Sequence, residues 1–258
     1  MKDPYLYPGT EVLKNLADIK DENMLKDMEA DYTCYRLSEL AMDNSVSCFN
    51  FAALCKIHFT IFQDVYEWAG KTRIINIEKA EPALGGISIE YSDCFDIEQE
   101  SKNILSEMDA YPWGKAEFEN IVRTFSGYMA RLWKVHPYRE GNTRTIVTFC
   151  SRFIESKGIY IDSDLFKDNA GYMRTSLVAA TAIFSDIGDR RQPEYLERIV
   201  RDSFENGKNM KEQVENQIRL AGIKASNDII RKVVYWNRMY NKIHDSIEIK
   251  RYFEQDDK

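Results

Sequence analysis

Two helical patterns meet at a break between residues 136 and 141, and this break constrains the fold more than any other feature of the sequence. Apolar residues recur at a spacing near 3.6 over residues 116–135, which predicts a helix ending just before His136. Pro137 disfavours helical geometry in the residue before it, so that helix cannot continue. A second apolar pattern starts near Asn142 and runs to Gly158. The sequence therefore predicts a helix–loop–helix elbow.

The rest of the chain has helical patterning with one β-rich interruption. Helices are predicted at 23–43, 50–68, 95–109, 164–184 and 192–206, and residues 1–20 form a turn-rich arm leading into a short helix. The segments TRIINI (72–77) and ISIEY (87–91) flank a stretch rich in proline and glycine, which predicts a hairpin-like flap. Residues 211–254 have a further helical pattern with these apolar anchors: Ile229, Ile230, Val233, Val234, Trp236 and Tyr240.

Charge separates the C-terminal tail from the body of the chain. Residues 1–207 carry 24 Lys and Arg against 34 Asp and Glu, whereas residues 208–258 carry 11 against 8. Asn206-Gly207 is a helix stop signal at this change of composition. We therefore expect a domain over 1–205, including the N-terminal arm, and a helical C-terminal extension over 206–258.

Composition argues against several classes of protein. The net charge of −7 disfavours nucleic-acid binding through a basic field. The N-terminus has no apolar signal-peptide core, and no run of about 18 apolar residues predicts a membrane span. The five cysteines have no CxxC spacing, which is typical of reduced thiols in a cytosolic protein rather than of a zinc site or a disulfide frame. We therefore expect a cytoplasmic protein with no nucleic-acid or membrane partner.

The loop itself reads HPYREGNTR, residues 136–144, and its second half resembles an anion site. Backbone amides at the start of a helix lack intrahelical acceptors and point towards the positive end of the helix dipole. Gly141 lets the backbone approach an oxyanion closely, and the side chain of Asn142 can donate a hydrogen bond to it. Arg144 supplies a guanidinium suited to phosphate.

The first half of the loop supplies a base and a metal ligand. His136 stands where it could take a proton from an incoming hydroxyl. Glu140 offers a single carboxylate, and one carboxylate plus substrate phosphates is the usual way to hold Mg²⁺. Together these residues predict transfer of a phosphate-bearing group from a nucleotide to a hydroxyl.

The loop closely resembles the Fic family motif HPFx(D/E)GNxRxxR. The segments DPYLYPGTEVLKN (3–15) and DVYEWAGKTR (64–73) also look like family features, so the resemblance covers roughly residues 3–200. It implies an all-α Fic-fold helical bundle with one β-hairpin flap. It also implies a protein adenylyltransferase that moves AMP from ATP to a Tyr, Thr or Ser hydroxyl of a target protein.

The resemblance also implies roles for individual residues. By position His136 resembles the general base and Glu140 the Mg²⁺ ligand, while the flap at 73–91 resembles the element that clamps a target by strand addition. The nucleotide-binding residues would be Arg139, Gly141, Asn142, Thr143, Arg144, Glu78, Lys79, Asn169 and Tyr172. For Asn169 and Tyr172, a helix cap and a core aromatic residue are equally good interpretations.

Three positions depart from the family pattern. Thr143 replaces a glycine, which a β-branched residue can do only if this position is already helical, as we expect. Tyr138 replaces a phenylalanine and should be nearly neutral. Val147 stands where the motif has its last arginine, and this loses one charge-assisted contact to phosphate, commonly about 1.5–3 kcal/mol.

Several alternatives follow from these departures. The donor could be another nucleotide or a phosphate donor, although Glu140-Gly141-Asn142 argues for nucleotidyl transfer over the kinase chemistry of Doc-type relatives. Val147 is the one support for a non-catalytic module that binds a nucleotide or a partner. No segment of the form (S/T)xxxE(G/N) is present, so inhibition by a separate small antitoxin-like protein, or none, remains open. Delivery to another cell also remains open.

Overall fold

The computed structural model of the chain describes residues 3–42, 48–220, 226, 229–230 and 232–234. These residues form a helical bundle, as predicted. Its helices are α1 (Glu22–Met42), α2 (Phe51–Phe62), α3 (Ile97–Ala110), α4 (Phe118–Val135), α5 (Asn142–Ser156), α6 (Ser163–Asp168), α7 (Ala170–Thr181) and α8 (Glu194–Leu220).

The core lies around α4 and α5. Helix α5 packs against α2 and α4, while α3 and α7 pack against α4 and α1 packs against α2. Helix α4 buries an apolar stripe that includes Val122, Phe125, Met129 and Leu132, all of which are fully inaccessible to solvent. Burying a side chain of this size contributes about 1.5–3 kcal/mol, so this stripe fixes α4 firmly in the bundle.

The predicted elbow between α4 and α5 is confirmed. Helix α4 ends at Val135, and His136 follows with φ 49°, in the left-handed region. The His136 amide donates to the carbonyl of Trp133 at 3.0 Å, which closes the last turn. Gly141, with φ 81°, then starts α5. Two left-handed residues therefore reverse the chain within six positions.

The flap differs from the prediction because its limbs do not form strands. Residues 72–91 are extended and reverse through a 3₁₀ turn at Pro82–Leu84, but one limb reaches the other through few backbone bonds, such as Glu81 N–H to Ile87 O at 3.3 Å. The two-stranded sheet lies elsewhere: β1 (Ile183–Phe184) pairs antiparallel with β2 (Gly188–Asp189). Its first strand falls inside the segment predicted as a helix at 164–184.

Other element boundaries also differ. The helix predicted to reach residue 68 ends at Phe62, and the segment predicted at 164–184 is broken at Asn169 between α6 and α7. The arm has no helix between residues 3 and 20; its backbone instead forms a bridge between Leu6 and Leu13.

Helix α8 passes through the predicted stop at Asn206-Gly207 and ends at Leu220. One interior glycine costs about 1 kcal/mol, and the burial of Phe204 and Val214 on either side outweighs it. The chain divides into two units, Met1–Phe204 and Glu205–Lys258. Trp236 and Tyr240, predicted as anchors of the tail, lie outside the described residues. Within those residues, no helix combines the length and apolar character that a membrane crossing requires.

Candidate active site

His136 lies at the end of α4 with its side chain buried. Its Nδ1 is 3.3 Å from the carbonyl oxygen of Trp133, and because a carbonyl can only accept, Nδ1 carries the proton. Nε2 therefore holds a lone pair, and no described residue hydrogen-bonds to it. Burial, and then the charge of Lys79, lowers the pKa of His136 well below its ordinary value. The imidazole is thus a neutral base with one free nitrogen.

A second histidine, His58 on α2, holds the loop in place. The Gly70 amide donates to its Nδ1 at 2.8 Å, so the proton is on Nε2, which donates to the Glu140 carbonyl at 3.1 Å. Its ring stacks on Tyr138 with centroids 3.7 Å apart. Burial lowers the pKa of His58 to about 3, so this tautomer persists at all ordinary pH values. The two histidines are therefore neutral in opposite tautomers.

Asn142 closes the loop on itself. Its side-chain oxygen accepts from the Tyr138 amide at 2.9 Å, and its side-chain nitrogen donates to the Tyr138 carbonyl at 2.7 Å. Both polar atoms have partners and the residue is buried, but the side-chain nitrogen carries a second N–H. Donation from the Asn142 side chain to a bound anion therefore stays a prediction and would depend on that one N–H. The backbone amide of Asn142 is a second donor for the same anion.

Gly141 is required for two independent reasons. Its φ of 81° is a conformation that residues with a Cβ rarely adopt. A Cβ at this position would also lie 2.2 Å from the ring of Phe62, which is fully buried on α2. Glycine therefore allows α5 to start directly against α2.

The first turn of α5 faces the loop with its amides uncapped by any described side chain. Thr143 lies inside the helix, as expected, and its hydroxyl accepts from Trp133 Nε1 at 2.9 Å. The Arg144 guanidinium has partners on α1 that the sequence did not predict. It pairs with the Glu29 carboxylate and donates to the Thr33 hydroxyl at 2.9 Å. Arg144 could bind a phosphate only by sharing or leaving Glu29.

Glu140 is the acidic residue of the loop, and its carboxylate is about one third exposed. Lys79 Nζ on the flap contacts Glu140 Oε2 at 2.9 Å, and the Gly141 amide donates to Oε1 at 2.9 Å. Burial raises the pKa of Glu140, but the Lys79 charge and the Gly141 bond outweigh it and lower the pKa to about 2. The carboxylate is thus ionised at ordinary pH and already contacts a cation at Oε2, which suits it to bind Mg²⁺.

Lys79 also brings the flap to the site, and two further flap residues accompany it. Tyr91 places its ring beside His136, with centroids 4.0 Å apart. Its hydroxyl donates to Glu81 at 3.1 Å, and Glu81, a buried carboxylate, pairs with Arg174 of α7 at 2.8 Å. This chain of contacts fastens the second limb of the flap to α7.

The root of the flap is fastened by Arg73, which is 1% exposed. Its Nε donates to the carbonyl oxygen of His136 at 2.9 Å, and its backbone amide donates to the carbonyl of Pro137 at 2.8 Å. The flap and the loop are therefore directly bonded to each other.

The other predicted site residues lie outside this cluster. Arg139 pairs with Asp3 of the arm at 2.9 Å, and Glu78 is exposed and makes no bond to any described residue. Asn169 donates from its side chain to the Leu165 carbonyl at 2.9 Å, so it fits the interpretation as a helix-end residue. Tyr172 is 41% exposed and donates to the Tyr195 carbonyl at 3.2 Å, so it is not a core aromatic residue. Arg139 belongs to the loop but its side chain turns to the arm, and no hydrogen bond links Glu78, Asn169 or Tyr172 to the loop.

Sequence reasoning missed His58, Arg73 and Tyr91. A signal existed for His58, because the chain has three histidines and one of them falls on the apolar face of α2, where it must find polar partners. Arg73 stands between β-branched residues where a charged side chain is unusual. Tyr91 gave no signal apart from its place at the end of the flap.

Comparison with known proteins agrees with this architecture. The family model described as the Fic/DOC family matches residues 48–154. A probable protein adenylyltransferase, y4lH of Sinorhizobium fredii, is 34% identical over 166 residues, which is 63% of this chain and 80% of that protein. The protein adenylyltransferase VbhT of Bartonella schoenbuchensis is 33% identical over 163 residues, which is 63% of this chain and only 33% of its own length.

Solved structures show the same fold. The BepC protein of Bartonella tribocorum, solved with bound AMPPNP, superposes with a TM-score of 0.64 at 21% identity and covers 77% of this chain and 95% of its own. An N-terminal Fic domain from Bartonella quintana gives a TM-score of 0.65 at 21% identity, covering 82% of this chain and 97% of its own. The chain therefore belongs to the Fic/DOC family.

Proposed function

We propose that this chain is a protein adenylyltransferase, which transfers AMP from ATP to a Tyr, Thr or Ser hydroxyl of a target protein. The observation that carries the proposal is the neutral, buried His136 whose Nε2 has no partner, placed in the loop that leads into the uncapped first turn of α5. Relatives named as adenylyltransferases support the same activity.

The chemistry needs one proton transfer and one exchange at phosphorus. The target hydroxyl gives its proton to His136 Nε2 as its oxygen attacks the α-phosphorus of ATP. A new P–O bond forms to the target, the bond from the α-phosphorus to the bridging oxygen breaks, and pyrophosphate leaves. The amides of Asn142 and Thr143 and the N-terminal dipole of α5 are suited to the negative charge on the phosphates. The Gly141 amide would join them only by leaving Glu140 Oε1, to which it donates. General-base catalysis of this kind commonly contributes a rate factor of about 10²–10⁴.

Glu140 would hold Mg²⁺, which when bound neutralises phosphate charge and orients the leaving group. The carboxylate is ionised at all ordinary pH values, and Lys79 would have to release Oε2 to admit the metal. Together with Arg174, Lys79 places positive charge near His136. These two cations would support phosphate binding at a site where Val147, on α5, replaces the last arginine of the family motif and packs against the core.

The flap is the proposed dock for the target. The amides of five residues in its first limb make no hydrogen bond to any described residue: Ile75, Asn76, Ile77, Glu78 and Ala80. An extended segment of a target could pair with this limb by strand addition, which would bring its hydroxyl towards His136. We further propose that residues 1–205 carry the transferase and residues 206–258 form a helical extension.

Labelled ATP tests the proposal. The purified chain would be incubated with Mg²⁺, a cell lysate and ATP labelled at either the α- or the γ-phosphate, beside a His136→Ala variant of the same thermal stability. We expect protein-bound label from α-labelled ATP alone and only with His136 intact. Label from the γ-phosphate would identify a kinase instead, and label from a different α-labelled nucleotide would change the donor. Full activity of the His136→Ala variant would refute the base assignment.

A further inference from the structure

The Arg73 guanidinium uses every donor that it has. An arginine side chain carries five N–H groups, and five acceptors surround this one. Nε donates to His136 O at 2.9 Å, and Nη1 donates to Ile75 O at 2.7 Å and to Asn76 Oδ1 at 3.3 Å. Nη2 donates to the carbonyls of Ser92 and Val135.

The five acceptors belong to two regions of the molecule, the flap and the end of α4. Ile75 and Ser92 lie on the two limbs of the flap, whereas Val135 and His136 form the end of α4 where the base is attached. The guanidinium is buried, and no carboxylate bonds to it. Burial accordingly lowers the pKa of Arg73, although an arginine remains charged. Burying a cation costs free energy unless its hydrogen bonds are satisfied. Moving any of these carbonyls would leave a buried N–H group without an acceptor, so the guanidinium holds the carbonyls in place.

His136 needs such a restraint. Its φ of 49° is in the left-handed region, which is strained for a residue with a side chain. The Nδ1 contact to Trp133 O that fixes its tautomer depends on this backbone conformation. The Arg73 guanidinium binds the carbonyls of Val135 and His136, so it restrains the peptide groups on both sides of His136, and its own amide binds the Pro137 carbonyl that follows.

We propose that Arg73 is a positioning residue for the base: it holds His136 in its left-handed conformation and Nδ1–H tautomer, and it couples that geometry to the flap. The proposal rests on the transferase function proposed above. Arg73 touches neither the hydroxyl nor the phosphates, so its effect passes through His136. Lysine cannot replace it, because an ammonium has three donors, with no planar fork, for five acceptors on three chain segments.

The variant Arg73→Lys tests the proposal, with Arg36→Lys as a matched control. Arg36 is less buried than Arg73, with its side chain 24% exposed, and it forms a bidentate pair with Asp64 at 2.5 and 2.9 Å. It contacts neither the loop nor the flap. Three quantities would be measured for each: thermal stability, the affinity for ATP with Mg²⁺, and the initial rate of label transfer from α-labelled ATP to lysate proteins. We expect Arg73→Lys to lose about 100-fold or more in rate with ATP affinity within about threefold of wild type, since misplacing a catalytic group costs about that much. The control should change the rate less than threefold.

A spectroscopic measurement separates positioning from general loss of structure. Long-range ¹⁵N–¹H spectra of the imidazoles report the tautomer of each histidine. In the wild type we expect His136 as Nδ1–H and His58 as Nε2–H, and in Arg73→Lys the His136 pattern should change while His58 keeps its own. The proposal is overturned if both rate and His136 tautomer persist in Arg73→Lys, or if rate, ATP affinity and folded fraction all fall together. If the wild type transfers nothing, the proposed function fails, but the tautomer measurement still decides the role of Arg73.

Discussion

The catalytic loop (136–144) and the flap (73–91) lie against each other but are built in opposite ways. In the loop, side chains from α2 and α5 satisfy the backbone: His58 binds the Glu140 carbonyl, and Asn142 binds both polar groups of Tyr138. The first limb of the flap leaves a row of amides without partners, and Ile74 beside them is 70% exposed. The loop therefore has a fixed geometry, whereas the first limb of the flap keeps an open edge, as the proposed docking of a target segment requires.

The largest difference should appear when each region receives one methyl group. We expect Gly141→Ala to lower the free energy of unfolding by about 2–5 kcal/mol, because it adds left-handed strain and places a Cβ in the buried ring of Phe62. Gly85→Ala on the flap, at φ 65° with nothing within 4 Å of its Cβ, should cost only about 1 kcal/mol. Urea unfolding of both variants measures this contrast, and equal losses would show that the loop is no more rigid than the flap.

An intermediate effect should come from the ion pair that joins the two regions. The pKa of Glu140 is about 2 in the folded chain against an ordinary value of 4.5, so its contribution to stability is complete above about pH 4.5. That contribution is lost as the pH falls towards 2. We therefore expect the stability advantage of wild type over Glu140→Gln to shrink between pH 5 and pH 2, as followed by urea unfolding at each pH. Lys79→Met should weaken the dependence in the same way, and an advantage that stayed constant with pH would contradict the ion pair.

The smallest effect concerns an imperfection in the loop. The Tyr138 hydroxyl is buried, and its polar neighbour is the thiol of Cys55, which is at best a weak hydrogen-bond partner. We expect Tyr138→Phe to leave the free energy of unfolding unchanged or to raise it by up to about 1 kcal/mol. Tyr66→Phe is the matched control: its hydroxyl donates to Glu29, so its removal should destabilise by about 1–2 kcal/mol. Thermal denaturation of both proteins gives the comparison, and a clear loss of stability in Tyr138→Phe would show that the contact with Cys55 is a stabilising hydrogen bond.

Sequence periodicity predicted the elements that bury a regular face. The apolar stripe of α4 predicted that helix, and Pro137 and Gly141 predicted the loop after it. The prediction that the two limbs of the flap form strands was wrong for a physical reason. β-branched residues fit an extended chain, but Arg73 and Ser88 take up backbone groups of the limbs and the turn at Pro82–Leu84 separates them, so no ladder forms.

The candidate site was also predicted only in part from the sequence. The motif predicted which residues gather at the elbow, but not what their side chains bind. Asn142 has the right chemistry for an anion, but its side chain already hydrogen-bonds to the backbone of Tyr138, four residues earlier. Arg144 meets Glu29, which is 115 residues away in the chain, and His58 meets Glu140 across 82 residues. Contacts of that range depend on how helices pack, which a local pattern does not contain.

The guanidinium of Arg73 also sets the boundaries for redesigning target choice. It donates hydrogen bonds to the carbonyls of residues 75 and 92, which are the roots of the two flap limbs. Of the described residues between these roots, Asn76 is the one that hydrogen-bonds to the guanidinium. A flap transplanted from a relative should therefore keep the native roots, and it should also keep Lys79 and Tyr91, which contact Glu140 and His136. A graft that replaced the roots would change recognition and disturb the general base in the same step, and its loss of activity would be misread as a failure to bind the new target.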